Sequence, residues 1–184
     1  MAFEIEAGKL LISSITLEDQ NFKRTAVLLC EHNESGTFGL VLNRELNLTV
    51  SEVMENIEGW DAPLYLGGPV QPNTIHFLHR FGTKAGKCLE ISPGIWWGGE
   101  YELVKTLLDS GIGSPDDVRF FLGYSGWGAG QLAGEITESA WIMGDISDAQ
   151  LFDEPADRIW SRALKRLGGD FALLANFPEN PQLN

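Results

Sequence analysis

Basic residues are scarce. The 184-residue chain carries 13 lysines and arginines against 26 aspartates and glutamates, a formal net charge of −13. Affinity for DNA comes largely from neutralising phosphates, so a chain of this charge is expected to engage neither duplex DNA nor an anionic membrane surface. Cysteine is equally sparse, with Cys30 and Cys88 alone. The acidic stretch 1–9 has no apolar leader pattern, which points to a cytoplasmic protein with reduced thiols. Long apolar runs are missing too. The longest clean one, 26–30, falls far short of the ~20 residues that cross a bilayer.

What is there suits one globular domain, 1–184, with 176–184 as a candidate flexible tail. The apolar fraction is 43%, and a chain of this length buries about 70% of its unfolded surface, so it needs no disulfide or metal staple. No repeat of 20–50 residues is visible. Apolar runs and alternation predict strands at 9–13, 24–32, 37–42, 64–66, 74–79, 87–91, 118–124 and 140–143. The turn cluster Asn33-Glu34-Ser35-Gly36 joins two of them in a hairpin. Thr49 and Glu52 stand at capping-box spacing before Val50, Val53, Met54 and Ile57, which predicts a short helix. Further helices are expected at 100–108, 131–138 and 155–167. Strands and helices do not alternate regularly, so the class is α+β.

Several stretches invite chemical readings. The segment 82–88 looks like a phosphate loop, but its spacing is one residue short and Cys88 replaces the hydroxyl, so a turn is preferred. Ser125 lacks the second glycine of a nucleophile elbow, because Trp127 occupies that position. His76 and His79 lie three apart on a strand, face opposite sides and have no neighbouring ligand set, so neither a metal nor a cofactor is expected. Cys30 and His32 would share one strand face, and a nearby imidazolium would activate the thiol. Burial of Cys30 in the core is the preferred alternative. Arg158, Arg162 and Arg166 form an i, i+4 stripe, preferred as a solvated face paired with acids over a direct nucleic-acid contact. The strongest constellation is the strand 118–124, a glycine-rich loop from Gly126 to Gly130, and a helix opening at Gln131. Glycines allow close approach, and a helix N-terminus offers free N–H groups to an anion.

Taken together, these motifs resemble the AlgH/YqgE family of bacterial proteins. The resemblance rests on Gly8-Lys9-Leu10-Leu11-Ile12-Ser13, on Phe22 and 27–32, on Gly39-Leu40-Val41-Leu42-Asn43-Arg44, and on Tyr65-Leu66-Gly67-Gly68-Pro69-Val70 with His79. Most specific is 121–132 with Glu135, followed by Trp141, Trp160 and Leu167-Gly168. Glu45 and Ala133 depart from the usual pattern. The resemblance implies a single domain with a mixed, partly bifurcated sheet, barrel-like in closure and surrounded by helices. It implies a transcriptional-regulator label and no catalytic set. No helix-turn-helix or zinc signature accompanies that label here.

The sequence is therefore expected to encode a non-enzymatic cytoplasmic binding or regulatory domain, acting through a protein or small-ligand partner. Strand ends at one rim would bring Asn43, Arg44, Gly67, Gly68, Pro69, Trp127 and Gln131 onto one concave surface. The alternative is a thiol-based redox sensor or enzyme using Cys30 and His32.

Overall fold

The apolar run 26–30 is continuous because the sheet is buried on both faces. In the computed structural model, which describes residues 4–55 and 60–179, Leu28 and Cys30 belong to one core cluster. Val27 and Leu29 belong to another on the opposite side. The strands are β1 (Leu10–Ser13), β2 (Ala26–Asn33), β3 (Gly36–Val41), β4 (Glu45–Thr49), β5 (Pro63–Leu66), β6 (Val70–His79), β7 (Cys88–Ser92), β8 (Ile95–Gly98), β9 (Val118–Gly128) and β10 (Trp141–Gly144). The helices are α1 (Val50–Val53), α2 (Tyr101–Asp109), α3 (Gln131–Thr137), α4 (Asp148–Phe152), α5 (Ile159–Leu167) and α6 (Gly169–Leu174). The class is α+β, as the sequence predicts. The capping box also forms, with Glu52 Oε2 accepting from the Thr49 N–H at 2.7 Å, but α1 is a single turn and Ile57 lies outside the described residues.

The sheet runs β10-β1-β2-β3-β9-β6-β8-β7, with β4 and β5 branching from it. Barrel-like closure does not occur. β10 pairs only with β1 and β7 only with β8, so two edges are left unjoined. In place of a strand ladder, a cavity of about 560 Å³ lies there, lined by Ile12, Pro93, Ala163 and Leu167 among others.

The branch point is at β9. Its C-terminal half pairs antiparallel with β3, its N-terminal half pairs parallel with β5, and β6 covers the other edge. At the fork the Gly67 N–H donates to the Leu122 carbonyl, and the Gly67 carbonyl accepts from Val41. A Cβ on Gly67 would sit 2.4 Å from the Gly123 carbonyl oxygen, so only glycine lets the backbones meet.

β9 also corrects the expected glycine-rich loop. It continues as a strand to Gly128, with Gly128 opposite Gly36 and Gly126 opposite Phe38. Glycine disfavours strands by propensity, but pairing with β3 overrides that weak preference. Four short elements, β4, β8, α4 and α6, have no counterpart in the sequence-based reading. Among the described residues no helix is long and apolar enough to cross a membrane.

Candidate functional site

The Cys30–His32 pair does not form on one face. The β2–β3 register shifts between Leu29 and Glu31, leaving Cys30 as the extra residue. That bulge reverses the alternation, so His32 lies opposite Thr37 and its Nδ1 is 2.7 Å from Thr37 Oγ1. Cys30 is 2% exposed, and burial pushes its thiol far above the ordinary range. A protonated, enclosed thiol is a poor nucleophile. Ser125 is likewise buried, its hydroxyl donating to the Gly67 carbonyl at 3.0 Å.

His79 is a core histidine. Its Nδ1 accepts from the Phe81 N–H at 3.1 Å, so Nε2 carries the proton and donates to the Gly98 carbonyl at 2.8 Å. Burial lowers the His79 pKa, and burial also lowers that of His76. The neutral forms are favoured, so stability is full above the unfolded value of about 6.5 and is lost as pH falls from there toward the folded values. Thermal melts from pH 7.5 to 5.5 are expected to show falling Tm, with a shallower slope in His79→Gln.

Segment 82–88 forms a 3₁₀ turn entering β7. The arginine stripe is partly neutralised, because Arg162 and Arg166 both contact Glu154 Oε2, at 3.2 and 3.1 Å.

The seven candidate surface residues divide into groups. Trp127 is buried, and its indole N–H donates to Glu135 Oε2 at 2.9 Å. Trp141 donates to the same oxygen at 2.8 Å, while Gln131 donates to Oε1 at 3.0 Å. Exposed Gln131 also accepts from the Gly128 N–H, so it clamps the start of α3. Phe22 completes this cluster, stacked on Trp127 and edge-on to Trp141. Gly67 and Gly68 pack into the fork against the backbone of β9, and Pro69 is exposed beyond them.

The Arg44 carbonyl accepts from the Leu66 N–H at 2.8 Å beside the fork, but the side chains of Asn43 and Arg44 go to a corner built from the segment before β2. Asn43 Oδ1 accepts from the Ala26 N–H at 2.9 Å, and its amide donates to the Arg24 carbonyl at 2.8 Å. Arg44 donates to the Lys23 carbonyl at 2.7 Å. Arg24, held at φ +52°, sits with its guanidinium 4.9 Å from the centre of the Trp160 ring and donates to the Phe177 carbonyl at 2.7 Å. Trp160 is fixed from beneath by its bond to the Ser13 carbonyl. Together these side chains line a depression of about 280 Å³, with Asp157 and Glu179 also on its wall. Neither Lys23, Arg24 nor Arg44 makes an ion pair with a described carboxylate. The helix leading into the corner leaves Leu173 66% exposed, and Phe177 beyond it is 54% exposed. Sequence reasoning reached Asn43 and Arg44 but not Arg24, whose position depends on its positive φ and on Trp160, 136 residues along the chain.

Comparison with known proteins agrees with this fold. The AlgH-like family model matches residues 10–172. The chain belongs to the AlgH-like family. A UPF0301 protein of Chlorobaculum parvum is 46% identical over 180 residues, covering 98% of this chain and 96% of that one. The solution structure of the AlgH protein from Pseudomonas aeruginosa has a TM-score of 0.72 at 32% identity, covering 98% of this AlgH-like chain and 100% of that chain. A crystal structure of protein DIP2367 from Corynebacterium diphtheriae shares the fold, with a TM-score of 0.79 at 23% identity over 96% of this chain and 95% of that one.

Proposed function

We propose that this AlgH-like protein is a non-enzymatic cytoplasmic binding domain whose contact surface is the corner of Lys23, Arg24, Asn43, Arg44 and Trp160. Its partner is an acidic protein segment with apolar side chains. One observation carries the reading: on a chain of net charge −13, three cations that make no ion pair with a described carboxylate line one depression alongside only two acids, Asp157 and Glu179, and Arg24 there holds the backbone of exposed Phe177. Arginine, tryptophan and exposed apolar side chains together are the composition of an interface centre. The charge contrast selects an acidic partner over duplex DNA, which the rest of the surface repels, and over a second copy of the same acidic chain.

Charge reversal tests it. Proteins that co-purify with the wild type are compared with those that co-purify with Arg24→Glu/Arg44→Glu and with the control Lys84→Glu/Lys87→Glu. The expected result is an acidic partner lost at least tenfold from the corner variant, equivalent to about 1.4 kcal/mol, and retained by the control. Equal recovery from all three folded proteins overturns the reading.

A further inference from the structure

Two arginines stand near one another at the end of the sheet, and their surroundings differ sharply. Arg80, just after β6, holds Asp153 through two bonds of 2.7 and 2.9 Å and lies 3.2 Å from Asp148 and 3.7 Å from Asp117. Arg119, on β9, has no carboxylate within ion-pair distance among the described residues. Its Nη2 donates to the Glu154 backbone carbonyl at 2.9 Å. Its Nη1 is sealed from solvent and finds no acceptor. Two of the acids around it are committed: both oxygens of Asp153 serve Arg80, and the Glu154 carboxylate serves Arg162 and Arg166, while Glu45 acts on Arg119 only through space.

A half-buried guanidinium with one sealed nitrogen and no carboxylate in contact is costly, and burial lowers the Arg119 pKa below its ordinary value. The surroundings are those of a receptor. Arg119 lies 5.3 Å from the centre of the Tyr65 ring and borders a cavity of about 370 Å³. Trp60, Tyr65, Phe152 and Val118 form its apolar wall, and exposed Asp61 and Asp116 also line it. A cavity of this size, with aromatic side chains on one wall and a single cation among its polar groups, has the parts of a small-molecule site.

The geometry points to a second binding site here, for a small monocarboxylate with a flat apolar body, its carboxylate on Arg119 and its body among Trp60, Tyr65 and Phe152. The two rim aspartates disfavour polyanions such as nucleotides, so a single negative charge is selected. The ligand carboxylate supplies the acceptor that Nη1 lacks. Reaching Nη1 requires the side chains covering it to give, so binding includes an adjustment of the aromatic wall.

The test uses the whole ¹⁵N-labelled protein titrated with phenylacetate, its neutral isostere phenylacetamide, and acetate. The readouts are the Arg119 Nε–H and Trp60 indole N–H resonances. Phenylacetate is expected to saturate both with a Kd below about 1 mM. Phenylacetamide is expected to bind at least about tenfold more weakly, and acetate, which has no apolar body, not to saturate. Arg119→Met, which removes an unpaired charge without leaving a void, is expected to melt no lower than wild type and to lose the carboxylate-over-amide preference. The shifts are expected to persist in Arg24→Glu/Arg44→Glu, which separates this site from the corner. No saturation by about 10 mM, or amide and carboxylate binding within about threefold of each other, overturns the inference. The comparison of ligands on the wild type decides the question even if the variant does not fold.

Discussion

Replacing Glu135 by alanine is expected to destabilise the protein by about 3–5 kcal/mol, because it strips the acceptor from two indole N–H groups at once. Trp127 and Trp141 are 4% and 3% exposed, so their indole N–H groups have little access to bulk water. One oxygen takes both indoles, at 2.9 and 2.8 Å, and the other holds Gln131. Hydrogen bonds to a charged group contribute more than neutral ones, so the network joining β9, α3 and β10 rests largely on this side chain. Glu135→Gln keeps an acceptor oxygen without the charge and is expected to lose about half as much. Gln131→Ala removes only exposed bonds and should cost about 1 kcal/mol. Urea unfolding followed by tryptophan fluorescence orders the three variants, and a loss for Glu135→Ala no larger than that for Gln131→Ala would contradict this account.

The second large effect belongs to Gly67→Ala. The new Cβ would meet the Gly123 carbonyl oxygen at 2.4 Å and a Leu40 methyl at 2.9 Å. The methyl can rotate away, but the carbonyl is backbone held by the β5–β9 ladder. The fork must open, at a cost of about 3 kcal/mol. For a chain of this size that is a fall of roughly 6–12 °C in Tm. Pro69→Ala, two residues on and exposed, is the control and is expected to stay within about 0.5 kcal/mol of wild type. Equal melts for the two variants would mean that the fork tolerates a side chain.

Much of the fold is legible in the sequence. Apolar runs bounded by turns mark the principal strands, and Thr49 with Glu52 announces its capping box three residues ahead. What is not legible depends on partners distant in the chain. The extension of β9 through Ser125-Gly126-Trp127-Gly128 requires β3 beside it, and local propensity argues against it. The bulge at Cys30 is invisible locally, and with it the reversal that separates His32 from the thiol. The open sheet follows from which edges fail to meet, a property of the whole topology.

The candidate surface divides along the same line. Gly67, Gly68, Trp127 and Gln131 read as ligand-facing because glycine and tryptophan at a strand end suit a cleft. In the structure they serve the fork and the Glu135 network. Asn43 and Arg44 reach the cationic corner, where Arg24 and Trp160 join them. Arg119 has a local signal, a lone charge in the apolar run Val118-Arg119-Phe120-Phe121-Leu122. Its lack of a counter-charge appears only once Asp153 and Glu154 are seen to be engaged elsewhere.

Site-specific photo-crosslinking in the native cell tests the central claim most directly. A photoreactive residue at Ser161, on the wall of the corner, is compared with one at Glu90, on the exposed edge strand β7. A discrete adduct with an acidic protein is expected from Ser161 only, abolished when Arg24→Glu/Arg44→Glu is added. No adduct from Ser161, or the same adducts from both positions regardless of the arginines, would contradict it.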